Sequence, residues 1–166
     1  MASASIAPLT PESIRQVIRS EAERFVTEAV QIVMTARALV ELDTITAADL
    51  LRIDRARCFE LLGRYQRFKH GVIFDPVIQA DDKARSATAR MLKCECVMMG
   101  EAFSAYVARW QHTDVTQEWK SYRSDMVVMT EQLLEHLRVE HAAIICLLDN
   151  DRDTIGRTRI TVPDNV

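Results

Sequence analysis

Met126-Val127-Val128-Met129-Thr130-Glu131-Gln132-Leu133-Leu134-Glu135-His136-Leu137-Arg138-Val139-Glu140-His141-Ala142-Ala143-Ile144-Ile145-Cys146-Leu147-Leu148 is the stretch on which the fold turns. Met126, Met129, Leu133, Leu137, Ile144 and Leu147 recur at helical spacing and make one apolar stripe. His136 and Glu140 fall inside that stripe, one turn apart on the same face. An imidazole and a carboxylate turned into an apolar interior are costly unless something satisfies them. A metal, a water or a partner on another helix could do so.

Outward from this helix, the chain offers three more long helical segments. Thr10-Pro11-Glu12-Ser13 is a helix start, with a threonine cap, proline at the first position and an acid in the first turn. Helix 1 runs to about Glu41, with Ile14, Ile18, Phe25, Ala29, Ile32, Val33, Ala36, Leu39 and Val40 on its apolar face. Thr46-Ala47-Ala48-Asp49 resembles a capping box and opens helix 2. Leu51, Cys58, Leu61, Leu62, Tyr65, Phe68 and Val72 form its expected inner face, and Gly71 and Pro76 bracket its end near His70. Helix 3 is expected from Asp82 to Gln111, with Ala84, Ala87, Met91, Met98, Ala102, Ala105 and Tyr106 as an adaptable seam. Helix 4 begins near Asp114 to Thr116 and reaches about Asn150. Short loops force neighbouring helices to alternate in direction. The expected fold is therefore an all-α, up-down-up-down antiparallel four-helix bundle over residues 10–150, between a loose leader (1–9) and a polar C-terminal tail (151–166).

Composition agrees with long helices, because 166 residues carry only 4 Gly and 4 Pro. A net charge of -3 gives no electrostatic case for nucleic acid. Arg52, Arg55, Arg57, Arg64, Arg67 and Lys69 read as a solvated face. No apolar run approaches the ~20 residues that span a bilayer, and Met1 to Leu9 lack a signal-peptide pattern, so a cytoplasmic protein is expected. Cys58, Cys94, Cys96 and Cys146 lie scattered in helical segments, unlike a disulfide framework. In Cys94-Glu95-Cys96 the two thiols fall on different sides of a helix, while Glu95 is expected to face the core. Val97, Phe103, Trp110, Val127 and Ile145 lie off the main stripes and could make a patch for a homodimer or a protein partner. No G-x-S-x-G, P-loop or Rossmann fingerprint occurs, and no enzyme is expected.

His136-Leu137-Arg138-Val139-Glu140, followed by His141 and an apolar run, resembles the last helix of the hemerythrin-like family, the HHE cation-binding group. Phe68-Lys69-His70-Gly71-Val72-Ile73-Phe74-Asp75-Pro76 is similar to the segment that closes helix 2 in that family. Helix number, length and order agree over about residues 12–150. The resemblance implies a non-haem di-iron centre held by histidines and bridging carboxylates from every helix, binding oxygen or nitric oxide. This chain departs from it: four histidines are too few, and helix 1 has none. Counting back from Phe74, the helix 2 positions fall on Tyr65 and Lys69.

Two arrangements of the inward polar groups follow. In the first, Lys69 stands where a metal would, its ammonium pairing with Glu140 while His136 bonds to Tyr65 or a water. Otherwise Lys69 runs its stem to the surface at the helix end. Should a metal be kept, His136, Glu140, His70 and Glu21 are the candidate ligands. The favoured function is a sensor or regulatory binding module with a reduced metal site, modulated by a ligand or by redox at Cys58 or Cys146. The alternatives are a true hemerythrin-like metalloprotein and a histidine phosphotransfer protein, whose exposed histidine would be His70.

Overall fold

The computed structural model describes residues 10–42 and 45–149. The expected leader and tail lie outside the described residues. Among the described residues the chain is all helical and has no strand, and no helix is long and apolar enough to cross a membrane.

Helix α1 is Pro11–Glu41. Its start is as expected: the Thr10 hydroxyl accepts the Ser13 N–H at 3.1 Å and Pro11 needs no hydrogen-bond partner. Ala22, Phe25, Ala29, Ile32, Val33, Ala36 and Val40 are buried, whereas Ile14 is exposed beyond the packed face. A 3-10 turn, Ile45–Ala47, leads into α2, Ala48–Phe68. The capping box does not form. Thr46 lies inside the 3-10 turn and Ala47 occupies the cap position, so the geometry for a side-chain cap is lost.

The largest departure comes at the end of α2. Instead of stopping, the helix widens into a π-helical segment, Lys69–Phe74, and continues as α3, Asp75–Gln79. The Asp75 N–H donates to the His70 carbonyl, five residues back. A proline in a regular α-helix clashes with the carbonyl four residues earlier and leaves it without a donor. The wider turn relieves that conflict and carries the helix through Pro76. It also resets the inner face: Val72, expected inside, is 42% exposed, while Ile73 and Phe74 are buried.

Asp82 caps α4, Lys83–Gln111, by accepting the Arg85 N–H at 3.0 Å. The buried side of α4 is Ala89, Leu92, Cys96, Phe103 and Trp110, not the expected seam. Met91 and Met98 are exposed, as are Ala84, Ala87, Ala102 and Ala105. Both sets recur at helical spacing; the one bearing the large rings is buried, because it removes more apolar surface from water. Glu95 accordingly faces out, and Phe103 and Trp110 belong to the core rather than to a surface patch. Helix α5, Trp119–Asp149, buries Met126, Leu133, Leu137, Ile144 and Leu147 with Glu140 among them, as the sequence pattern implies.

Helix α1 packs on α2 and α5, and α4 packs on the same two helices. Three apolar clusters fill the space between them. Val40, Leu51, Trp110, Tyr122 and Met126 form one. Phe25, Ile32, Cys58, Leu61, Tyr65, Phe103, Leu133 and Leu137 form the next. Ile73, Phe74, Ala89, Leu92, Ile144 and Leu147 form the third. Two arginines tie helix ends to neighbours: Arg55 donates to the Trp110 carbonyl at 2.8 Å and Arg85 to the Leu147 carbonyl at 2.9 Å. Arg55 and Lys69 are thus buried members of a run otherwise exposed at Arg52, Arg57, Arg64 and Arg67.

Candidate functional site

The π-helical segment begins at Lys69, the one buried lysine among the described residues. Lys69 is 3% exposed and Glu140, opposite it on α5, is 2% exposed. The Lys69 Nζ donates to Glu140 Oε2, and it lies 4.2 Å from the centre of the Tyr65 ring below. Tyr65 stacks in turn on Phe25 of α1, with ring centres 5.2 Å apart. His136, one turn before Glu140, places Nε2 at 3.6 Å from Glu140 Oε1, beyond hydrogen-bond length but close enough for charge to matter. The sequence-predicted cluster of Tyr65, Lys69, His136 and Glu140 is therefore assembled, with His136 on Glu140 rather than on Tyr65.

Electrostatics keep the Glu140 carboxyl ionised. Burial pushes the Glu140 carboxyl up, but the His136 imidazole and the Lys69 ammonium together outweigh it and hold the group below its ordinary 4.5. Tyr65 moves the opposite way: burial, then the charge of Glu140, raises its phenol far above the ordinary value. Tyr65 therefore keeps its proton, yet its buried hydroxyl has no hydrogen-bond partner among the described residues. Cys96 of α4 also belongs here. Burial raises its thiol, and Lys69 pulls against that. Sequence reasoning missed Cys96; its place seven residues before Phe103, on the large-residue side of α4, is the signal that could have found it.

Tyr65, Lys69 and His136 of the cluster line a cleft of about 220 Å³ between α2, α4 and α5. Leu62, Met99, Phe103, Leu133 and Leu137 supply apolar walls; Tyr65, Lys69, Cys96 and His136 lie in the lining together with the polar side chains of Gln66, Arg67 and Ser104. Gly63 and Gly100 sit in the lining, and a Cβ at Gly100 would come within 3.2 Å of the Gln66 amide oxygen.

The remaining candidate ligands stand apart from one another. Glu21 is turned to the surface, where Arg24 holds its carboxylate at 2.7 Å and lowers its pKa. His70 is half-buried beside Phe74, and burial, then Lys93 and Lys69, lowers its pKa from 6.5. Its Nε2 is closed off from water, an awkward place for the exposed histidine of a phosphotransfer protein. Among the described residues, no three His, Cys, Asp or Glu side chains gather as a metal cage would require. Lys69 also sets a positive charge against Glu140, the one deeply buried carboxylate among the described residues. His136, Glu140, His70 and Glu21 do not fit a non-haem iron centre.

The thiols divide by burial: Cys94 and Cys146 are exposed, Cys58 and Cys96 buried. Burial, then the charge of Asp54, pushes the Cys58 thiol up to about 12. An aromatic disulfide reagent at neutral pH should titrate the two exposed thiols quickly and the other two only in denaturant.

Compared with protein-family models, curated proteins and solved structures, the chain finds no match.

Proposed function

We propose that this chain is a hemerythrin-like, up-down-up-down helical bundle acting as a non-enzymatic sensor or regulatory binding module, in which Lys69 replaces the metal. The make-up of the core supports the alternation. One cluster joins the end of α1, the start of α2, the end of α4 and the start of α5. Another joins Ile18 near the start of α1, the π-helical segment, the start of α4 and the end of α5. Such pairings arise when successive helices reverse direction.

The observation that carries the reading is the buried pair of Lys69 and Glu140. An ammonium neutralises the carboxylate that a cation would otherwise ligate. With their charges matched to each other, Lys69 and Glu140 are not free to serve as a catalytic acid and base. What remains is a cleft whose filling can bias helix packing, and exposed Met91, Val97 and Met98 on α4 on which a partner protein or a second copy could dock. Protein exposed to iron(II) and zinc, then dialysed in air, should stay colourless and retain neither metal stoichiometrically. Tightly held iron with an absorbing charge-transfer band would overturn the reading in favour of an oxygen- or nitric-oxide-binding metalloprotein.

A further inference from the structure

Resting on the reading of a metal-free binding module, we propose that the cleft between α2, α4 and α5 binds a small monocarboxylate with an apolar body, its carboxylate held by Arg67. Charge comes first. Arg67, Lys69 and His136 line the space, and no Asp or Glu does. The Lys69–Glu140 pair contributes its lysine to the lining and keeps its acid out of it. A bound anion therefore meets no carboxylate across the cleft. Arg67 is exposed, and among the described residues it makes no ion pair with an acid. Its planar fork can hold a carboxylate through two parallel hydrogen bonds. One unmatched cation calls for one negative charge.

Room beside that cation comes from glycine. Gly63 and Gly100 are two of the chain's four glycines, both lie inside helices, and both line the cleft. Glycine weakens a helix interior relative to alanine. At Gly63 packing does not demand it, because the nearest atom to an added Cβ is Nη1 of Arg67, at 3.7 Å. The missing side chain leaves open space against the guanidinium. The Gln66 side chain reaches over Gly100, its amide oxygen 3.2 Å from where a Cβ would stand, and adds a neutral donor to the lining. The body of the ligand is set by the walls, where Leu62, Met99, Phe103, Leu133 and Leu137 offer apolar surface. A cavity of about 150 Å³ holds benzene, so about 220 Å³ takes a ring of that size with a carboxylate.

The test uses three probes on the full chain by calorimetric titration: benzoate, its neutral match benzamide, and acetate. Benzoate should bind roughly tenfold more tightly than benzamide, the worth of one charge-assisted hydrogen bond at a part-solvated cation. Acetate, which lacks the apolar body, should bind at least roughly tenfold more weakly than benzoate. Arg67→Gln should bring benzoate to the level of benzamide without lowering the unfolding temperature, since Arg67 is exposed. Gly63→Leu, which puts bulk into the open space, should weaken both ring probes at least roughly tenfold while the helix gains from losing a glycine. Equal binding of benzoate and benzamide, acetate as tight as benzoate, no binding at all, a preference that survives Arg67→Gln, or binding undisturbed by Gly63→Leu would each overturn the proposal. Iron analysis of the same preparation keeps the two readings apart: failure of the probes on iron-free protein removes the ligand class alone, whereas stoichiometric iron removes the module.

Discussion

Replacing Lys69 by methionine should destabilise the protein by about 3–5 kcal/mol, the cost of leaving a buried carboxylate without its counter-charge. Glu140 has no ready escape to water, being 2% exposed, and among the described residues His136 at 3.6 Å is its other charge partner. The double variant Lys69→Met/Glu140→Leu should recover most of that loss, because an apolar pair of similar volume removes both desolvation penalties. Urea unfolding followed by helical circular dichroism gives the comparison. Acid provides a second readout. The folded carboxyl titrates below its ordinary 4.5, so the pair's contribution is complete above that pH and is lost as pH falls through the folded value. The gap between wild type and Lys69→Met should therefore narrow in acid. A gap that stays constant down to unfolding would mean that the pair contributes little.

Arg55→Met should cost about 2–4 kcal/mol, although Arg55 looks from sequence like one more surface cation. Its guanidinium donates to the Trp110 carbonyl at 2.8 Å and to the Tyr122 hydroxyl at 3.2 Å, and it lies over the Tyr122 ring at 5.6 Å. Trp110 sits in the last turn of α4, where carbonyls lack intrahelical donors, so one arginine on α2 terminates α4 and fastens it to α5. Arg55→Lys should not restore the loss, since an ammonium cannot span both acceptors as the planar fork does. Arg52→Met, on the exposed part of the same run, should stay within about 0.5 kcal/mol. Equal effects at positions 52 and 55 would refute the assignment.

What could be read beforehand was whatever periodicity determines. The α5 stripe was legible because large aliphatic residues recur there with little competition. The same phase argument placed Lys69 and Glu140 inside. On α4 it failed, because alanine and methionine repeat on one side while Leu92, Cys96, Phe103 and Trp110 repeat on the other. Small residues carry too little apolar area to decide which side is buried; the neighbouring helices decide. Arg55 was hidden for a related reason. It shares a stripe with Leu51 and Cys58, but a cation among cations signals solvent unless its acceptors are known. Nor does spacing reveal a π-helical turn, since the change lies in which carbonyl each N–H finds.

That wide turn acts on the helix as a frameshift acts on a message. It spends one extra residue, so side chains before and after it are read in phases about 100° apart. Because of this slip Phe74 reaches the interior together with Lys69, five residues before it. Were the backbone regular and Phe74 kept in place, the inward position one turn earlier would belong to His70, and an imidazole would confront Glu140. Which chemical group meets the carboxylate is thus set by the length of a single coil as much as by the identity of any residue in it.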